Sequence, residues 1–142
     1  MSITNSTSIA CIEPTAPAVD VDSKFHWDGL REHKLLLQSC CDCGRFRFPP
    51  MPSCPYCASP AFGVEQITGE GTIYTWIVVH RAFAQPFISQ VPYTLATVEL
   101  KEGCRIVGRF NSSNRPEFGM SVGPFYFDHI GWTEIGFTLK EK

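Results

Sequence analysis

The sequence lacks any excess of positive charge and any long apolar run. Its 142 residues carry 12 Lys and Arg against 14 Asp and Glu, a formal net charge of −2, so no global positive field is available to collect the phosphates of a nucleic acid. The N-terminal region has neither the basic segment of a signal peptide nor an apolar stretch long enough to span a membrane. We therefore expect a cytoplasmic protein with neither membrane nor nucleic acid among its partners.

Local signatures of an active site are also missing. The four histidines belong to no motif with a nucleophile, and neither G-x-S-x-G nor a paired-carboxylate pattern occurs. Cys104 follows a hairpin turn and has no catalytic signature around it, so we interpret it as an ordinary strand residue. We expect no catalytic residue in this chain.

What the sequence does have is the composition of a globular protein. Hydrophobic residues make up 44%, aromatic residues 13% and charged residues 18%, which is enough apolar surface to offset the entropy of ordering one domain of ordinary size. Residues 1–19 differ, because Ser, Thr, Pro and Ala dominate them. We expect a flexible N-terminal tail over residues 1–21, with Cys11 as a bystander thiol.

The segment 22–38 has the pattern of a short helix followed by a strand. Asp22 or Ser23 can cap a helix near 23–33, and the apolar run after it predicts a strand near 34–39.

Two aromatic residues of this helix cannot share one buried stripe. Phe25 and Trp27 are two positions apart, whereas one face of a helix repeats every three or four residues. One of them should therefore face something else. For Trp27, contact with a partner and coverage of the chain's own zinc module or core both remain open.

Residues 39–61 form a cysteine module with two Cys-x2-Cys pairs separated by ten residues. Four thiolates at this spacing match the tetrahedral demand of a structural zinc ion, and the ligands we predict are Cys40, Cys43, Cys54 and Cys57. Iron uses the same four ligands and stays an alternative. A pair of disulfides is disfavoured because the cytosol keeps thiols reduced. We place Cys41 outside the site.

Four sulfur ligands leave no open position for a substrate or a water molecule. The metal can therefore fold the module but cannot act as a Lewis acid. Gly44, which follows the first pair, permits the tight turn that a knuckle needs, whereas Ala58 at the matching place makes the second turn less ideal.

Residues 62–142 read as five short strands without any helical pattern. β-branched and aromatic residues dominate each run, and Gly69 and Gly71 suit a sharp bend near the start of the first strand. We expect a mostly β chain ending in a five-stranded OB-fold barrel, because closure removes exposed edges. Residues 111–121 are polar and hold Pro116, so they predict a loop where an OB fold usually has a helix. An SH3-like barrel remains an alternative.

The stretch RAFAQPFISQVPY is a loop with many apolar groups and a single charge, Arg81. Exposed loops seldom carry so many apolar groups unless they dock on something, and its candidates are Phe83 and Phe87. A loop folded back over the mouth of the barrel explains the same composition.

Several motifs together resemble the DUF35 family. They are FHWDGLREHKLLLQSC, C-x-x-C-G-x-x-x-F-P-P, C-P-x-C, G-x-G-x-I-Y-T-W-x-V-V-H-R, P-Y-T-L-A-T-V-E-L and E-G-C-R-I-V-G-R-F, over roughly residues 23–130. The resemblance implies a rubredoxin-like zinc ribbon joined to an OB fold. It also implies a small non-catalytic accessory subunit of a hetero-oligomer that helps to bind or channel an acyl-CoA thioester.

The partner implied by the resemblance is a thiolase-like or ketosynthase-like acyltransferase, or alternatively a MaoC-type enoyl-CoA hydratase. We expect Trp27, Arg81, Phe83 and Phe87 to contact the partner or the CoA thioester. Arg81 could meet a CoA phosphate or a partner carboxylate, since a guanidinium suits both, and a plain surface ion pair is the alternative.

Binding of single-stranded nucleic acid is a competing function, since OB barrels and zinc ribbons both serve it. Aromatic residues that could stack on bases are Tyr74, Trp76, Phe110, Phe125 and Phe127. Residues 64–142, however, carry seven Lys or Arg against eight Asp or Glu, so an electropositive groove is not expected. We rank this function below the accessory subunit and a freestanding enzyme lower still.

Overall fold

The structure is a computed structural model that describes residues 15–140. The expected flexible tail lies largely outside the described residues, and so does Cys11. The elements, in chain order, are α1 (Lys24–Arg31), β1 (Leu35–Cys40), β2 (Phe46–Arg47), β3 (Phe62–Ile67), β4 (Gly71–Val79), a 3-10 helix (Gln85–Gln90), β5 (Tyr93–Leu100), β6 (Arg105–Phe110), β7 (Ser121–His129) and β8 (Trp132–Leu139). The chain is thus mostly β with one short α-helix, as predicted.

Helix α1 begins after a compact turn, and a residue in the left-handed conformation follows its end. The N–H and the hydroxyl of Ser23 both donate to Oδ1 of Asp20, over 2.9 and 2.8 Å. His33, just beyond the helix, has a φ of 58°. Gly29 lies against β1 so closely that a Cβ there would come within 2.8 Å of Leu36. The helix therefore packs directly on the first strand.

Strands β1, β2 and β3 form an antiparallel sheet in the order β2-β1-β3. Leu35 and Leu37 point from β1 into the hydrophobic core. Strand Phe62–Ile67, which follows the predicted division at residue 62, pairs along the full length of β1. It lies on the side of β1 opposite to β2, and the first barrel strand begins at Gly71.

The remaining five strands close a barrel in the order β4-β5-β6-β8-β7. All neighbours are antiparallel except β6 and β8, which pair in parallel through Arg109 with Gly136 and Phe110 with Phe137. This order is that of an OB fold and settles the choice against an SH3-like barrel. Residues 111–120 form the predicted loop without a helix.

One hydrophobic core runs through both parts of the chain. It joins Leu30 of α1 and Leu37 of β1 to barrel residues such as Ile73, Val98 and Phe137. Since these side chains are buried together, ribbon and barrel stabilise each other. Among residues 15–140, no helix has the length and apolar character required to cross a bilayer.

Candidate functional site

The two cysteine pairs come together at one end of the ribbon. Their four Sγ atoms all lie within 4.8 Å of one another, and the closest pairs are Cys40 with Cys57 at 3.5 Å and Cys43 with Cys54 at 3.6 Å. Ligands of a tetrahedral zinc ion with Zn–S bonds of about 2.3 Å are about 3.8 Å apart. The donor set therefore fits a structural zinc ion. Cys41 is exposed and does not belong to the cluster.

Backbone N–H groups of the two knuckles point at sulfur. The amide of Cys43 donates to Sγ of Cys40, and that of Tyr56 donates to Sγ of Cys54, both over 3.4 Å. The amide of Cys43 is the main reason why the pKa of the Cys40 thiol falls to about 6. Hydrogen bonds of this kind favour the thiolate, the form that binds a metal.

The turn of each knuckle closes through a residue with positive φ. Gly44 has a φ of 76° and Ala58 a φ of 66°, and their amides donate to the carbonyls of Cys40 and Cys54. Only glycine adopts this conformation without strain, so Ala58 carries a cost of roughly 1 kcal/mol. This agrees with the sequence-based expectation of a less ideal turn at Ala58.

A buried polar cluster lies on β1 and β2, the two strands on either side of the first cysteine pair. Gln38 and Arg47 are 1% and 2% exposed, and Nε of Arg47 donates to Oε1 of Gln38 over 3.2 Å. Gln38 also exchanges hydrogen bonds with the backbone of Met51, and the guanidinium lies 5.1 Å from the centre of the Phe62 ring. Sequence reasoning missed this cluster because buried arginines are rare.

Trp27, expected to contact a partner or the core, is half-buried against the hydrophobic core. Its ring lies 6.2 Å from that of Trp132, edge to face. The residue therefore joins α1 to the hairpin between β7 and β8, which favours coverage of the chain's own core over a free contact surface.

The loop after β4 places its two phenylalanines in different environments. Phe83 is 93% exposed, with the guanidinium of Arg81 at 5.6 Å from its ring centre. Phe87, on the 3-10 helix, is half-buried, and its ring lies 6.0 Å from that of Tyr93. Of the two phenylalanines, Phe83 is the one free to meet another molecule.

The side of the barrel that faces away from the core carries an exposed apolar patch. Strand pairing aligns Ile77, Leu95, Arg109, Gly136 and Phe125 across the five strands, and paired residues point to the same side of a sheet. Residues two positions along a strand share that side. We call this surface the outer face and define it by Ile77, Leu95, Val107, Arg109, Phe125, Phe127, Glu134 and Gly136.

Family models match both parts of the chain: "ChsH2, rubredoxin-like zinc ribbon domain" over residues 27–63 and "ChsH2, C-terminal OB-fold domain" over residues 64–124. A "DUF35 domain-containing scaffold protein" of Pyrococcus furiosus is 32% identical over 99 residues, which are 68% of this chain and 72% of that protein.

Two further similarities involve proteins named as an enoyl-CoA hydratase subunit and as an aldolase. A "probable enoyl-CoA hydratase alpha subunit" of Thermomonospora curvata is 34% identical over 108 residues, 75% of this chain, but the chain spans only 33% of that subunit's length. A solved structure titled "Ltp2-ChsH2(DUF35) aldolase" contains a chain that superposes with a TM-score of 0.77 at 31% identity, over 87% of this chain and 98% of that one.

Proposed function

This chain belongs to the DUF35 family, and from that membership we propose that it is the non-catalytic accessory subunit of an acyl-CoA enzyme complex. The observation that carries the proposal is the likeness to the DUF35 chain of the solved aldolase, because that likeness covers ribbon and barrel together. Relatives named scaffold proteins support a role in assembly rather than in bond chemistry.

The partner we propose is an enzyme that acts on an acyl-CoA thioester. The names of the similar proteins favour a hydratase or an aldolase, whereas the family resemblance also includes thiolase-like and ketosynthase-like enzymes. A thiolate-lined metal site keeps its metal most readily in a reducing compartment, so we expect the complex to work in the cytosol.

Binding of the CoA thioester is the finer part of the proposal. A cleft of about 330 Å³ lies between ribbon and barrel and is lined in part by Tyr56, Cys104 and Arg105. Arg105 is half exposed, so it could reach an anionic group such as a CoA phosphate. Glu99 lies 3.7 Å from Arg105 and weakens this attraction. The cleft supports a contribution to CoA binding within a complex rather than tight binding by the isolated chain.

The role we propose for the metal is to fold the ribbon. Bound zinc would be held by Cys40, Cys43, Cys54 and Cys57, and its charge would keep the four thiolates together. The ribbon then supports α1 and the buried cluster of Gln38 and Arg47.

Coexpression tests this function. The chain is produced with each of the thiolase-like, aldolase-like and hydratase-like proteins encoded beside its gene, and stable complexes are isolated by size-exclusion chromatography. We expect one defined hetero-oligomer, with turnover of acyl-CoA only when the partner is present. Turnover by the purified chain alone, lost on a single substitution, would overturn the proposal, as would failure of all candidates to bind.

A further inference from the structure

The outer face carries exposed apolar side chains of the kind that a barrel usually buries. Ile77 is 60% exposed, Val107 is 57% exposed and Phe125 is 36% exposed. The inward-facing side chains of the same strands are already buried in the core, among them Ala96, Ile106 and Phe137. Strands of an antiparallel barrel with one solvated side normally alternate apolar and polar residues. Thr75 and Thr97 align with Val107 on the outward side, so the apolar side chains form a patch there, and an exposed patch of this kind marks a contact surface.

A neutral polar cluster lies at the centre of the outer face. The guanidinium of Arg109 is 5.0 Å from the ring centre of Tyr93 and 5.6 Å from that of Phe127. Its Nε lies 3.6 Å from Oε2 of Glu134, and its Nη1 donates to Gln90. Because Glu134 balances Arg109, the centre offers packing surface without a net charge. An apolar surface around a fixed arginine is typical of the centre of a protein interface.

The rim of the face is different because it is cationic. Residues 80–92 contain no Asp or Glu, and Arg81 has no carboxylate within salt-bridge distance among residues 15–140. The fully exposed ring of Phe83 lies beside this arginine. The rim therefore matches a surface that offers a carboxylate next to an apolar depression.

A second copy of this chain fits the face less well than a different protein does. In a two-fold contact the face would meet itself, and Arg81 would then need a carboxylate from the same surface. Glu134, the acidic residue of the outer face, is already engaged by Arg109. The charge pattern thus favours a partner with its own acidic group.

We propose that the outer face, with Phe83 and Arg81 at its rim, is the surface on which the partner enzyme docks. The proposal rests on the proposed function and sharpens it. Phe83 enters an apolar depression of the partner, Arg81 meets a carboxylate beside that depression, and Ile77 and Val107 pack on a flat apolar area. Trp27 and Phe87 are half-buried and are not part of this proposed surface.

Matched substitutions test this surface in the coexpressed complex. Val107→Lys and Ile77→Lys place a charge in the face, and Val64→Lys places one on the ribbon, at a valine that is 43% exposed. We expect the two face variants and Phe83→Ala each to weaken the complex about tenfold or more, whereas Val64→Lys changes the affinity less than threefold. Circular dichroism and zinc content show that each variant is folded.

The binding results distinguish failure of the proposed surface from failure of the proposed function. If a wild-type complex forms and the face variants bind equally well, the proposed surface is wrong while the proposed function stands. If no candidate binds but the wild-type chain self-associates and Val107→Lys abolishes this, a second copy covers the face and the proposed occupant is wrong. If the chain binds no candidate and stays monomeric, both proposals are overturned.

Discussion

Gln38 and Arg47 pair across β1 and β2 through a 3.2 Å hydrogen bond although both side chains are almost completely buried. The Gln38 side chain also exchanges hydrogen bonds with the backbone N–H and C=O of Met51, over 2.9 and 3.0 Å. One amide therefore holds the buried cation and the proline-rich segment after it in place.

Gln38→Ala should be strongly destabilising because it leaves Nε of Arg47 and the N–H of Met51 without a partner. We expect a loss of about 3 kcal/mol in the free energy of unfolding, measured by urea titration of the zinc-loaded protein. Gln66→Ala, on the exposed side of β3, is the control and should cost less than about 0.5 kcal/mol. Equal costs for the two variants would contradict this role of Gln38.

Removal of one ligand should empty the metal site. We expect about one zinc ion per chain by elemental analysis, a value near zero for Cys54→Ser and full occupancy for Cys41→Ser, whose sulfur lies outside the cluster. Iron in place of zinc would leave the ligands correct but change the metal. If Cys41→Ser lost the metal while Cys40→Ser kept it, the ligand assignment would be wrong.

Ala58→Gly should stabilise the second knuckle. Glycine removes the strain of a φ of 66°, and the greater entropy of the unfolded chain offsets part of the gain, so we expect about 0.5 kcal/mol net. The matched change in the first knuckle, Gly44→Ala, introduces the same strain and should destabilise by about 1 kcal/mol. Urea titrations of both variants at saturating zinc measure the two effects, which must have opposite signs.

Stability should fall in acid through His26. Burial lowers the pKa of this imidazole from 6.5 to about 4, so the folded state resists protonation where the unfolded state accepts it. The contribution of the neutral ring is complete above pH 6.5 and is lost as the pH falls from 6.5 to about 4, a change of about 3 kcal/mol. His26→Gln should show a flatter pH dependence of the free energy of unfolding.

The exposed His80 provides the control for this measurement. His80→Gln should keep the pH dependence of the wild type, and loss of zinc in acid affects all three proteins alike. A wild-type profile that runs parallel to that of His26→Gln between pH 6.5 and 4 would show that His26 contributes nothing.

Gly136 should tolerate no side chain. A Cβ there would lie 2.4 Å from Cε2 of Phe127 and 2.8 Å from the carbonyl oxygen of Arg109, so Gly136→Ala must displace the ring that packs on the outer face. We expect a cost of about 2 kcal/mol in thermal or urea unfolding. Gly123→Ala, on the neighbouring strand, has nothing within 4 Å and should be close to neutral.

Features coded by local pattern were predictable. The two Cys-x2-Cys pairs, the strand runs and the turn residues are short-range signals, and the cluster formed by Cys40, Cys43, Cys54 and Cys57 matches the prediction. Resemblance of the motifs to DUF35 is confirmed by the family models and relatives. The roles of Trp27, Arg81, Phe83 and Phe87 as contacts stay predictions.

The pairing partner of strand Phe62–Ile67 could not be predicted from the sequence. Phe62–Ile67 has the alternating pattern of a strand, but a strand does not encode which neighbour it pairs with. Pairing with β1 is decided by how the hairpin and the barrel share one core, which involves residues far apart in the chain. The division of the chain at residue 62 stays a prediction.

By itself the sequence predicted the cluster of four cysteines and the five barrel strands, because spacing and periodicity are local properties that one chain displays directly, and its motifs resembled the family. Tertiary structure alone decided which strands pair, that Gln38 and Arg47 meet in the interior, and that Ile77, Val107 and Phe125 join into one outer face. The physical reason is that burial and contact depend on the closing of the barrel. Closure brings distant strands side by side, so the inward-facing apolar residues become the core and the outward-facing ones form the outer face.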